Sequence, residues 1–370
     1  MKKHNAHNER IKRKYLTFLK QAKGQNEATI DAVAKAIARF ESYNKYKDFK
    51  AFHFEQAIGF KKHLAAQTHH QTGEKLSLAT LNGTARHLKA FIQWLSQETG
   101  YKSRIKYSDA EYFNLSEKEA RTAKAKRQKP VASVEQIKHV LMVMPHQKAI
   151  EKRDRALIAF TLLTGARDSA IASLKLKHID FKADTLYQDA KEVNTKFSKT
   201  FITCFFPVGD EVRQIVFEWV AYLKRECLFG HDDPLFPKTK MGQGHNHHFQ
   251  ASGLSREHWR DAAAIRKIFK SAFSLAGLPY FNPHSFRHSL AALGESLCQS
   301  PEEFKAWSQN LGHERVLTTF YSYGDVQESR QADIFRQFKE PRHNATPPDV
   351  AVLAKALAKS LTKEMANQPG

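Results

Sequence analysis

The chain has 370 residues, 41% hydrophobic and 11% aromatic, enough to bury real cores, so a wholly disordered chain is excluded and roughly two domains are expected. Lysine and arginine number 59 against 38 acids, a net charge of +21. An excess of that size favours a polyphosphate partner, nucleic acid above all, over a neutral metabolite, and no run approaches the ~18 apolar residues of a membrane-spanning helix.

In chain order, residues 1–25 are polar and basic, have no apolar stretch that would make a secretory signal, and read as a poorly ordered tail. Residues 26–115 read as a small helical unit. Ile30, Val33, Ile37 and Phe40 share one helical face, Ala57, Phe60 and Leu64 share another. A third helix runs from Ser77 as N-cap through Leu81, Leu88 and Leu95 towards Gly100 as its stop. The stretch KEARTAKAKRQK holds six basic residues and one acid; it reads either as a solvated helix end or as part of a basic linker, 116–130, lying along a DNA backbone. After Pro130 the composition becomes more apolar and mixed. Residues 131–340 are expected to form helices near 134–144 and 151–163, then a β region containing TLYQDAKEVNTK and KTFITCFFPV. Residues 341–370 form a tail with one more amphipathic helix, on Val350, Leu353, Leu357 and Leu361.

Neither GxxxxGK[ST] nor GxGxxG occurs, which removes the main support for nucleotide hydrolysis or dinucleotide binding. Cys204, Cys227 and Cys298 are scattered and form no CxxC, which fits a reducing cytoplasm and offers no thiolate zinc site. His245, His247 and His248 in GHNHHF lack acid or thiol partners at ligand spacing and read as a polar surface loop. Three other segments carry basic and hydroxyl groups suited to one reaction. They are LLTGARDSAIASLKLKHID with Arg167, NPHSFRHSLAA with His284 and Arg287 on one helical face, and NLGHERVLTTFYSYGDV with His313, Tyr321 and Tyr323.

In this order the segments resemble the tyrosine recombinase (phage integrase) family, whose catalytic domain carries a TGxR arginine, an HxxR motif, an LGH motif and a nucleophilic tyrosine shortly after. The resemblance spans about 131–330, and the helical 26–115 unit looks like the family's core-binding domain. It implies a mainly α fold with a small β-sheet in the catalytic domain (α+β), the two domains forming a C-shaped DNA clamp. It implies a site-specific recombinase that exchanges strands through a 3′-phosphotyrosyl intermediate, without metal, ATP or other cofactor. Arg167, Arg287 and His313 would hold the non-bridging phosphate oxygens, Tyr323 would attack phosphorus, and His284 would take the phenolic proton. A hairpin lysine, Lys196 or Lys199, would protonate the leaving 5′-oxygen.

The chain departs from the family pattern at three places. Ala170 stands where an acid commonly follows the first arginine, with Asp168 nearby. Ser322 stands where the tyrosine usually lies, between Tyr321 and Tyr323; the SYG context favours Tyr323. Lys196 and Lys199 fit the lysine position equally well. The implied partners are double-stranded DNA with an inverted-repeat core site, a homo-tetramer in synapsis, and accessory DNA-bending proteins, in a cytoplasmic, nucleoid-associated setting on a mobile element. Alternatives are a type IB topoisomerase-like or telomere-resolving enzyme, and a non-cleaving DNA-binding relative.

Overall fold

Helix periodicity organises the N-terminal third. In a computed structural model, which describes residues 4–68, 73–124, 130–243 and 248–313, the chain divides into two units at Lys126 and Arg127. The first unit contains α1 (Ala6–Gln21), α2 (Glu27–Tyr43), α3 (Phe54–Ala66), α4 (Leu78–Leu95) and α5 (Glu117–Lys124). The side chains of Asn26 and Ser77 cap α2 and α4 by accepting from the Thr29 and Thr80 amides. Ile30, Val33, Ile37, Phe40, Ala57, Phe60 and Leu64 are all buried, as their spacing predicts. Aromatic edges pack on aromatic faces at the centre, Phe40 on Phe60 with centroids 5.3 Å apart and rings at 86°.

Two expectations for this unit need correction. The expected 1–25 tail is instead helical over Ala6–Gln21: α1 buries Ile11, Tyr15 and Leu19, with Tyr15 4.8 Å from the Trp94 ring and 5.1 Å from that of Phe91. Buried Asn8 ties α1 to the α2–α3 connection, donating to the Lys47 carbonyl and accepting from the Phe49 amide. One apolar residue per turn in a basic segment is a weak periodic signal, and aromatic surface on α4 makes it sufficient. Nor does Gly100 stop α4, which ends at Leu95, where Ser96 caps it; Gly100 lies in the following turn. Within the basic stretch, 117–124 is helical, and 125–129 lies outside the described residues.

The second unit contains α6 (Val134–Val143), α7 (Ala149–Thr164), α8 (Asp168–Ile171), β1 (Ile179–Asp180), β2 (Thr185–Gln188), β3 (Phe201–Cys204) and α9 (Asp210–Arg225). Then follow β4 (Thr239–Gln243), β5 (Phe249–Leu254), α10 (Ala263–Leu275), α11 (Pro283–Leu297) and α12 (Pro301–Asn310). Every residue from Ala156 to Thr164 is buried, so the last nine residues of α7 are enclosed on all sides and run through the core, while its first turns carry the charged run Glu151–Arg155. Its Phe160 meets Phe236 edge-on at 5.2 Å, and Trp219 of α9 donates to the Leu235 carbonyl. Antiparallel β1, β2 and β3 form one sheet, with Ile179 opposite Leu186 and Leu186 opposite Thr203; β4 and β5 form a separate hairpin.

This is the expected α+β architecture. Among the described residues no helix is long and apolar enough to cross a membrane. Tyr321, Tyr323, the 341–370 tail with Val350, Leu353, Leu357 and Leu361, and His245 and His247 lie outside the described residues.

Candidate active site

Two glycines in the left-handed region, each just past a helix, place the first motif residues. Gly165 (φ 59°) ends α7, and a Cβ there would meet Leu290 and Leu311 at 3.0–3.1 Å. The turn it makes delivers Arg167 to the start of α8. Gly312 (φ 70°) ends α12 in a Schellman cap, with the His313 amide bonded to the Ser308 carbonyl and the Gly312 amide to that of Gln309. A Cβ on Gly312 would lie 2.8 Å from the Phe201 ring of β3. The LGH motif is therefore a helix stop that presents His313.

The HxxR motif opens α11, capped by Asn282 with Pro283 in its first turn. His284 is exposed, whereas Arg287, one turn on, is only 5% exposed. Arg287 Nη1 donates to the Gly165 carbonyl at 2.7 Å, and Nη2 to the Leu311 carbonyl and to His313 Nε2 at 3.0 Å. Guanidinium has no acceptor, so His313 Nε2 must be the acceptor, and the neutral imidazole carries its proton on Nδ1. One buried arginine thus joins the TGxR turn to the LGH turn.

Among the described residues no carboxylate compensates the charge here. Arg287 Nε is buried with no hydrogen-bond partner, and no acceptor meets the half-buried Arg167 among the described residues. The adjacent carboxylate, Asp168, is held by Arg266 at 2.8 Å, while Ala170, where the family commonly has an acid, is buried. Desolvation first, and then Arg167, push the Arg287 pKa down to about 9. Desolvation also pushes His284 and His313 down to about 4, assisted by the charges of Arg287 and Arg167. Since His284 is exposed by area, the cations are the part of its shift that the geometry supports best. Two guanidiniums and two neutral imidazoles, with no free carboxylate beside them among the described residues, make a site suited to an anion.

The lysine loop is fastened to the same turns. Residues 189–200 connect β2 to β3, so Lys196 and Lys199 do lie in a hairpin connection, Lys196 exposed and Lys199 half-buried. The Asn194 carbonyl accepts from Ser169 Oγ, and its amide donates to Ser173 Oγ at 2.8 Å, which anchors the loop beside α8. At the other end Asn310 acts like a strand, accepting from the Cys204 amide at 2.7 Å and donating to its carbonyl at 2.9 Å. Sequence reasoning missed Asn310, the Gly165 carbonyl and His288, whose ring meets His284 edge-on at 5.3 Å. Only His288 had a local signal, its i, i+4 spacing from His284.

A sequence profile of the phage integrase family matches residues 131–330, more than half of the chain. The chain belongs to the phage integrase family. Tyrosine recombinase XerC of Lactobacillus delbrueckii subsp. bulgaricus is 21% identical over 322 residues, covering 86% of this chain and 95% of that protein. Tyrosine recombinase XerD of Staphylococcus aureus is 24% identical over 333 residues, covering 89% and 98%. Among solved structures, the lambda integrase (75–356) dimer bound to a COC′ core site is similar with TM-score 0.58 at 12% identity, covering 86% and 96%. The XerH recombinase bound to palindromic difH substrate is similar with TM-score 0.56 at 17% identity, covering 88% and 84%. This family member is a site-specific recombinase of the tyrosine type, a DNA strand transferase.

The depressed imidazoles give this recombinase a signed pH dependence. A histidine whose folded pKa lies near 4 and whose unfolded pKa is near 6.5 binds more protons unfolded across that window, so stability is full above it and falls as pH drops through it. The DNA-free protein is expected to melt at a lower temperature at pH 5 than at pH 7. Inorganic phosphate should raise the melting point, and His313→Gln should flatten the pH slope. An equal slope in wild type and variant would remove His313 as its source.

Proposed function

We propose that this recombinase cleaves and rejoins DNA by direct transesterification on the Arg167–Arg287–His313 cluster. The observation that carries the proposal is the pair of unneutralised guanidiniums, one buried with an unpartnered Nε, joined to an imidazole. A phosphodiester in flight gathers charge on its non-bridging oxygens, and fixed forks of donors match it; each such donor is typically worth about 3–4 kcal/mol in the transition state. The Tyr323 oxygen would form the bond to phosphorus as the bond to the 5′-oxygen breaks. His284 would take the phenolic proton, and Lys196 or Lys199 would supply the proton of the leaving 5′-hydroxyl.

The incoming phosphate offsets the two cations and lifts both imidazoles towards their ordinary range, which makes His284 a better base when DNA is bound than when it is absent. One ester replaces another, so bond energy is retained and no ATP is consumed. Strand transfer is expected to persist in EDTA. Residues 131–340 would be the catalytic domain, 26–115 the core-binding domain with α1 added to its core, and 116–130 the link. Four copies on two inverted-repeat sites, assisted by DNA-bending proteins and acting on cytoplasmic DNA of a mobile element, complete the proposal. The test is a suicide duplex nicked beside the cleavage site, on which an active enzyme is trapped covalently and a non-cleaving relative is not.

The +21 charge should be met mainly by phosphates. Log K against log salt is expected to fall with a slope of about −0.9 per phosphate neutralised, several such contacts in all. Affinity unchanged between low and moderate salt would contradict broad backbone contact.

A further inference from the structure

We infer that Phe197, at the tip of the lysine loop, is a base-stacking residue that reads unpaired or unstacked DNA beside the scissile phosphate. This rests on the reading of the site given above. Phe197 is 79% exposed and adopts φ 61°, ψ 24°, followed by Ser198 at φ 49°. A phenylalanine in the left-handed region pays for its conformation, and exposing the ring forgoes the gain from burial. Among the described residues neither cost is offset by packing: the ring is exposed, with the Lys196 ammonium 4.8 Å from its centroid. Such a combination, held by the surrounding structure, is typical of a functional position.

The surroundings point to nucleic acid. The ring is flanked by Lys196 and Lys199 in a loop with no acid between Glu192 and Thr200, so the tip suits a phosphate backbone. The loop is also held in place. Val193 is buried, the Ala190 amide bonds to Thr200 Oγ1 at 3.0 Å, Asn194 is clamped by Ser169 and Ser173, and Phe201 lies against Gly312 beside His313. Phe197 is therefore carried on the segment that joins the Arg167 turn to the His313 turn. When a phosphate draws Lys196 away, the ring face it covered is open to a base, and stacking is tolerant of sequence because every base has a π-face.

The experiment uses the full chain and two duplexes of one arbitrary sequence, one fully paired and one with a short unpaired centre carrying a fluorescent aminopurine. Wild type is expected to bind the unpaired duplex about five- to tenfold more tightly and to quench its fluorescence. Phe197→Ala should lose both the preference and the quenching, Phe197→Trp should keep both, and Phe197→Leu, apolar but without a π-face, should lose them. No preference in wild type, or a preference that survives in Phe197→Ala or Phe197→Leu, overturns the inference. A Phe197→Ala protein that keeps the preference but fails to assemble on DNA would make the ring a protein contact and also overturns it. Because this readout needs no cleavage, its failure is distinct from failure of the transesterification reading, which shows as absent covalent capture on nicked DNA.

Discussion

Arg167→Ala is expected to lower covalent capture on a nicked suicide duplex by about 10²–10³-fold while changing equilibrium DNA affinity by less than about threefold. No acceptor meets its guanidinium among the described residues, so the variant should melt like wild type. Phosphate should also lose its stabilising effect on this variant. Arg287→Ala should lose capture to a similar extent for a partly different reason. Its guanidinium serves the carbonyls of Gly165 and Leu311 as well as His313. Leaving those buried acceptors unmade costs roughly 1–3 kcal/mol each, so this variant should also melt earlier. Arg287→Lys keeps the charge but loses the fork, and should recover stability better than capture. Full capture by Arg167→Ala would remove that residue from the chemistry.

Tyr323→Phe is expected to abolish the covalent complex and retain DNA binding, whereas Tyr321→Phe should retain both. His313 is the last described residue, so this expectation rests on sequence. Both tyrosines lie within ~35 Å of extended chain from His313, and reach does not separate them. A phenol with an ordinary pKa near 10 must sit within hydrogen-bond distance of a base and close to phosphorus to react at neutral pH. Tyr323 precedes Gly324, where the backbone is free to adjust, while Tyr321 follows Phe320, an apolar neighbour suited to packing. Capture by Tyr323→Phe and not by Tyr321→Phe would move the nucleophile to 321. Capture by both would dismiss this segment.

The parts of the protein that local chemistry specifies could be read from residue order. The α2 stripe from Ile30 to Phe40 and the Ser77 cap depend on neighbours three or four positions away, and both are in place. The hairpin around Lys196 and Lys199 is likewise marked by flanking β-branched and aromatic residues. The family, too, was visible in short motifs, because each is a local device: TGxR and LGH are helix stops with a functional residue just beyond. What packing across long sequence separations decides was not visible. Tyr15 becomes core because Phe91 and Trp94 come to meet it, which turns a basic tail into α1. His284 and Arg287 share a helix face by spacing, yet one is exposed and the other buried, because Gly165 and Leu311 close over the second alone. The Asn310 clamp on Cys204 spans 106 positions and follows no period. Periodicity and capping act within a turn or two of chain. Desolvation and charge coupling depend on whichever atoms arrive from elsewhere, and they set the lowered pKa values of Arg287, His284 and His313.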